Sequence, residues 1–252
     1  MEIPQLVAHR GYPRRYPENT LESIEAAITA GACYVEFDVQ MTADGIPVLL
    51  HDESLMRTTG TRGRIINTKL EKLAELSANE PKRFGTRYRN FTIPTLAAAV
   101  ELLRQHPRVT PFVEIKEESL EAHGREKVVK TILNVLEPLK SRFIIISYDV
   151  LSLRTSRAMG AKRIGWVMKA WNEESRAKAT ELVPDYLICN YTKLPKNAAE
   201  PLWFGPWKWM FYEVTQVRLA LQLAQRGASL IETMAIGEML KNPQLRSGAS
   251  FD

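Results

Sequence analysis

Tyr34-Val35-Glu36-Phe37-Asp38-Val39 has the composition of a β-strand, rich in aromatic and β-branched residues. It lies between Gly31 and a turn, Ala43-Asp44-Gly45. Side chains two apart on a strand share a face, so Glu36 and Asp38 project together. Two adjacent carboxylates repel, and burying either is costly unless a cation answers it. The stretch therefore predicts a buried strand with something cationic between its acids; a solvated edge strand is the alternative for E-x-D alone. Just upstream, Leu21, Ile24 and Ile28 recur at helical spacing, with Asn19 or Thr20 as the cap. Helix then strand is the unit on which the fold turns.

The same unit recurs in both directions. Further apolar runs are Leu6-Val7-Ala8, Val48-Leu49-Leu50, Pro111 to Lys116, Phe143 to Ile146, Arg163 to Met168, Tyr186 to Cys189, Trp209 to Val214 and Ser229 to Glu232. Helical periodicity occupies a segment from Pro94, then Glu126 to Leu139, Val150 to Met159, Glu173 to Leu182, Gln216 to Gln225 and Met234 to Leu240. This alternation predicts an α/β protein, a (β/α)8 TIM barrel ahead of a doubly wound sheet. Nine runs compete for eight places, so one is not a strand or lies outside the barrel. The link from Gln40 to Pro47 is too short for a helix. Thr58 to Phe91 is polar, with one weak helix (Lys69 to Leu76), and about 61–91 reads as a small insertion after the third strand of a single domain spanning 1–252. The tail after Asn242 reads as frayed, and His106 and His123 fall in loops.

Composition narrows the function. The chain has 252 residues, a net charge of +5 and a pI near 9.2, a mild basicity suited to small anionic substrates. No Lys/Arg block marks a nucleic-acid arm. Cys33 and Cys189 lack disulfide or zinc spacing and read as buried free thiols. No apolar run reaches the ~18–20 residues of a transmembrane segment. Without a visible secretory signal, a cytoplasmic enzyme is expected, in a form compatible with a homo-oligomer.

In a barrel, catalytic groups stand at the C-terminal ends of strands. Four of the first runs end in ionisable residues: His9-Arg10, Glu36/Asp38, His51-Asp52 and Glu114/Lys116. Glu36, Asp38 and Glu114 offer hard oxygen ligands for a divalent metal ion, Mg2+ or Ca2+. His9 and His51 suit proton transfer near neutral pH. Arg10 and Lys116 suit an anion. Glu114 and Lys116 pairing with each other, and Arg10 in a salt bridge, are the structural alternatives. Together these groups make a toolkit for cleaving a phosphodiester.

His9-Arg10-Gly11, Pro17-Glu18-Asn19-Thr20, Glu36-x-Asp38, His51-Asp52-x-x-Leu55-x-Arg57-Thr58-Thr59, Pro94-Thr95-Leu96 and Glu114-Ile115-Lys116 occur in that order. This pattern resembles the glycerophosphodiester phosphodiesterase family, over about the first half of the chain. Ser147-Tyr148-Asp149 extends the likeness, and the 61–91 segment resembles that family's barrel insertion. The resemblance implies a metal on Glu36, Asp38 and Glu114, His9 and His51 as acid and base, and Arg10 and Lys116 on the phosphate. It also implies the substrate class, glycerophosphodiesters cleaved to sn-glycerol 3-phosphate and an alcohol. Toward the C-terminus the chain departs from the pattern: Tyr212-Glu213-Val214-Thr215 replaces a Trp-Thr-Val-Asn segment, and Ile231-Glu232-Thr233-Met234 an Ile-Ile-Thr-Asp strand. Trp203, Phe204, Trp207, Trp209 and Phe211 form an aromatic cluster, for core packing or as a platform for lipid-like substrates. Rival activities are a lysophospholipase D-like enzyme, a non-catalytic phosphodiester-binding barrel, and a sugar-phosphate lyase or aldolase with Lys116 as its Schiff-base candidate.

Overall fold

A computed structural model of the chain describes residues 3–196 and 201–246. Its strands are β1 (Gln5–His9), β2 (Tyr34–Met41), β3 (Pro47–Leu49), β4 (Thr110–Ile115), β5 (Ile144–Ser147), β6 (Ile164–Met168), β7 (Tyr186–Asn190), β8 (Lys208–Tyr212) and β9 (Ala228–Thr233). Eight of them pair in parallel in the order β1-β2-β4-β5-β6-β7-β8-β9, and β9 returns to β1, closing a (β/α)8 barrel. β3 is the ninth run. It lies outside the barrel, antiparallel to β2, with Val39 opposite Leu49. The reason is the length of β2: β1 pairs with it over Tyr34–Glu36, and β3 takes the overhang at Val39–Met41.

Alternation along each strand builds two cores. Val7, Phe112, Ile144, Ile146, Val167, Ile188, Met210 and Leu230 point inward and fill the barrel. Their neighbours, such as Ala8, Val113, Ile145, Leu187, Phe211 and Ile231, face the helices. Strands covered on both sides are mostly apolar on both sides; β2 departs from this, with Glu36, Asp38 and Gln40 on one face.

Several boundaries differ from expectation, each for a tertiary reason. Thr20, not Asn19, caps the helix Leu21–Thr29 by accepting the Ser23 amide, because Asn19 is drawn to Asp38. His123 closes a helix, Glu117–His123, that opens on two glutamates and docks through Ser119 onto Gln40 and Met41. Residues 243–246 are helical (Pro243–Arg246), and the tail beyond them lies outside the described residues. Within 61–91, Ile65, Leu73 and Ala78 join Val48, Leu50, Leu55 and Ile93 in a small core of their own.

Between β7 and β8 the described residues form no α-helix, only the short turn Tyr191–Lys193. Aromatic rings cover the strands there instead. Trp209 stacks on Phe211 with centroids 5.5 Å apart, and Trp171 lies over both Trp209 (5.3 Å) and Trp203 (4.1 Å). Trp207, Trp209 and Phe211 are buried in the outer core, while Phe204 is fully exposed. Among the described residues no helix is long and apolar enough to cross a membrane.

Candidate active site

The C-terminal ends of the strands surround a cavity of about 270 Å3. His9, Arg10, His51, Asp52, Arg57, Glu114 and Lys116 line it from β1, β3 and β4. Ile146, Tyr148, Val167, Ile188, Tyr212, Glu213 and Glu232 line it from β5 to β9. Glu36 and Asp38 are buried beside the first group.

Local backbone shape places the first group. Arg10 and Asn19 both adopt left-handed conformations (φ +54° and +55°), a strain that persists only where the surroundings impose it. Gly11 follows at φ +86°, and a Cβ there would stand 2.5 Å from Ser23 Oγ, so only glycine fits. The Arg10 amide donates to Glu36 Oε2 (3.1 Å), Nε pairs with Asp38 Oδ2 (3.1 Å), and Nη1 donates to Glu18 Oε1 (3.2 Å). Asn19 grips Asp38 twice: Nδ2 donates to Oδ2 (2.8 Å) and Oδ1 accepts the Asp38 amide (3.2 Å).

Lys116 Nζ lies 3.0 Å from Glu114 Oε1 and 3.3 Å from Asp38 Oδ1. The structural alternative for Glu114 and Lys116 is thus present, and it lies inside the cluster rather than in place of it. Beyond Arg10, Arg57 Nη2 donates to the same Glu18 oxygen (2.7 Å) and Nε donates to Asp52 Oδ2 (2.6 Å). Asp52 Oδ1 meets His51 Nδ1 at 2.6 Å. The Asp52 carboxyl, half-buried yet held by Arg57 and His51, drops to about 2 and is ionised. An ionised carboxylate only accepts, so Nδ1 carries the proton and Nε2 is left for proton exchange. The insertion buttresses this chain of contacts: Glu80, left-handed at φ +46°, accepts the Glu18 amide (2.6 Å) and is held by Arg83.

Electrostatics divide the carboxylates. Burial works against the charge of Asp38, but Arg10 and Lys116 outweigh it and hold the group well below the usual range. Burial and the Asp38 charge push Glu36 well above its ordinary value. Burial, with Asp38 again, raises Glu114 against the pull of Lys116. Burial, helped by Arg10, lowers His9 well below its ordinary value and keeps it neutral. Three carboxylates cannot all ionise here without a further cation.

The residues fit such a cation. Oxygens of Glu36, Asp38 and Glu114 lie within 4.8 Å of one another, and Glu36 Oε1 is buried with no hydrogen-bond partner. An all-oxygen, carboxylate set suits a hard divalent ion. A second group, His9, Glu36 and Glu232, meets the same distance.

The structure therefore brings His9, His51, Arg10, Lys116, Glu36, Asp38 and Glu114 to one cavity end. Roles for Glu18, Asp52 and Arg57 go unassigned in the sequence, and Asn19 is read there only as a candidate helix cap, although each sits inside a quoted motif. Glu232 carried its own signal: an acid in an apolar strand, two residues from inward-facing Leu230, the same pattern that singled out Glu36 and Asp38.

A profile of the glycerophosphoryl diester phosphodiesterase family matches residues 9–201. That span begins at His9 and ends before β8. The glycerophosphodiester phosphodiesterase of Caldanaerobacter subterraneus is 33% identical over 188 residues, 72% of this chain and 75% of that protein. Bovine glycerophosphodiester phosphodiesterase 1 is 40% identical over 123 residues, 49% of this chain but 37% of that protein. An Oleispira antarctica phosphodiesterase, solved in complex with the product sn-glycerol-3-phosphate, has a TM-score of 0.82 at 27% identity and covers 95% of this chain and 96% of that one.

Proposed function

We propose, since this chain belongs to the glycerophosphoryl diester phosphodiesterase family, that it hydrolyses glycerophosphodiesters to sn-glycerol 3-phosphate and an alcohol, with a divalent metal ion and two histidines. The observation that carries this reading is the convergence of two imidazoles, two cationic side chains and three carboxylates at one end of a 270 Å3 cavity. Glu36, Asp38 and Glu114 would hold the ion, Mg2+ or Ca2+. When bound, it supplies charge neutralisation and Lewis-acid polarisation of the phosphoryl group.

The chain's own groups do the rest. Lys116 and Arg10, fixed by Asp38, present positive charge to the non-bridging oxygens and favour the more negative transition state. His51, oriented by Asp52, and His9, kept neutral by burial, exchange protons with the attacking and leaving oxygens. One takes a proton as the other gives one. The attacking oxygen is that of water or of the substrate's own glycerol 2-hydroxyl. We read the whole chain as one barrel domain with residues 61–91 as an insertion, and the protein as cytoplasmic.

An activity screen of the purified protein on several glycerophosphodiesters, with Mg2+, Ca2+ or EDTA, tests the proposal. Release of sn-glycerol 3-phosphate that EDTA abolishes is expected. Absence of release with every metal and substrate would overturn it.

A further inference from the structure

Strand register puts Glu36 between two groups of potential ligands. β1 runs between β9 and β2, with His9 opposite Glu36 and Val7 opposite Glu232. On the other side of β2, Asp38 stands opposite Glu114 of β4. Val7 and Leu230 fill the barrel, and side chains two apart share a face, so His9 and Glu232 also point inward. Toward β4, Glu36 meets Asp38 and Glu114; toward β1 and β9, it meets His9 and Glu232.

In the second group, one ligand atom from each residue lies within 4.8 Å of the other two. His9 Nε2 is 3.8 Å from Glu36 Oε2. His9, Glu36 and Glu232 are only 6%, 1% and 4% exposed. Each also carries a buried atom with no hydrogen-bond partner: His9 Nδ1, Glu36 Oε1 and Glu232 Oε1. Arg10 draws on Glu232, but its guanidinium is already bonded to Asp38 and Glu18. A buried carboxyl without a partner is costly until a ligand answers it.

The two groups differ in chemistry. Three carboxylates suit a hard ion such as Mg2+. Two carboxylates and an imidazole suit a borderline ion such as Zn2+, which takes nitrogen and oxygen ligands together. Burial keeps His9 neutral, the form that binds metal.

We propose that His9, Glu36 and Glu232 form a site for Zn2+ or a similar transition-metal ion, and that its occupation switches the enzyme off. An imidazole that gives its lone pair to a metal has none left to take a proton. Glu36 is shared as well, so an ion here competes with the one held by Asp38 and Glu114. The effect on turnover rests on the phosphodiesterase reading of the cavity; the binding does not.

The test titrates the metal-free protein with Zn2+ by calorimetry, with and without saturating Mg2+. Hydrolysis of a glycerophosphodiester in Mg2+ is followed in parallel as Zn2+ is added. The wild type should bind Zn2+ and lose activity over the same range of Zn2+ concentration. Glu232→Gln should raise the Zn2+ Kd and the half-inhibiting concentration by about 100-fold or more, above the ~10–100-fold of losing an outer partner. Its Mg2+ affinity and its kcat/KM in Mg2+ should stay near the wild type. His9→Ala should lose Zn2+ affinity to a similar extent, a comparison that carries the test should Glu232→Gln fail to fold. Unchanged Zn2+ affinity in either variant overturns the proposal. Zn2+ that supports turnover in place of Mg2+ also overturns it, because His9 would still be free to exchange protons. Absence of turnover in Mg2+ on every substrate is a different failure, that of the phosphodiesterase reading, and the binding comparison then decides the site alone.

Discussion

On the β1–β4 side of the cavity, Arg10 holds Asp38, Glu36 and Glu18, and Arg57 ties Glu18 to Asp52 and so to His51. On the β5–β9 side, Tyr148 and Tyr212 bond to each other's hydroxyls, and Glu232 keeps an oxygen without a partner. The first side is cross-braced through both histidine-bearing segments; the second has spare capacity. Preorganised dipoles serve a reaction whose charge pattern is always the same, because they need not reorganise as charge develops. Capacity left open serves a group that comes and goes. The family profile covers β1 to β7, the braced side and part of the other, and stops before Tyr212, Glu213 and Glu232.

The largest effect should come from the histidines. His9→Ala and His51→Ala, folded and loaded with metal, are each expected to lower kcat by ~100–10,000-fold, the usual worth of a general acid or base. Steady-state kinetics with the metal content of each variant would check this. Near wild-type turnover in either would mean that the braced side is not the catalytic one.

Next come the carboxylates. Glu36→Gln or Asp38→Asn should weaken divalent-ion affinity by about 100-fold or more, above the ~10–100-fold of losing a mere outer partner; titration calorimetry reads it directly. Acidity gives an independent handle. Glu36 and Glu114 have raised values in the folded protein, from burial and the charge of Asp38. A raised group stabilises the metal-free fold below its unfolded value of about 4.5 and loses that contribution as pH rises through the folded value. An ion must displace those protons, so its stabilising increment in Tm should grow as pH rises above about 4.5. An increment independent of pH would argue that the ion binds elsewhere.

A smaller loss should follow from cutting the brace. Glu18→Gln leaves the shape of the side chain but removes the charge that Arg10 and Arg57 share. About a tenfold fall in kcat/KM is expected, by analogy with groups that orient first-contact residues. Loss of thermal stability with unchanged kcat/KM would make Glu18 a purely structural anchor.

The same contrast explains what could be read from the sequence. Chemistry on the β1–β4 side is written in short strings where partners lie close in the chain: His51 beside Asp52, Arg57 five residues after Asp52, Glu36 and Asp38 on one strand. Only the convergence of the strings needed the barrel. The identity of the extra strand was not legible, since it depends on how far β2 outruns β1. The helix Glu117–His123 was missed because its docking depends on Ser119 meeting Gln40 and Met41, 79 and 78 residues away. Glu232 could be seen but not interpreted, because its surroundings are assembled from distant strands.

Trp209 tests whether the contrast is confined to the cavity. Its ring is 5% exposed, stacks on Phe211, and donates Nε1–H to the Trp203 carbonyl (3.1 Å), all on the outer face of β8. Met210, the next residue, fills the barrel, and Tyr212 lines the cavity from the inner face. Since neighbours on a strand face opposite ways, Trp209→Ala removes the cover over β7 and β8 without touching the pocket. Stability should fall by ~3–5 kcal/mol, the usual cost of deleting a buried aromatic side chain. Protein that stays folded should keep its kcat/KM. A changed kcat/KM in folded protein would mean that the aromatic layer sets the position of Tyr212 and Glu213, and that the β5–β9 side is shaped from outside the barrel.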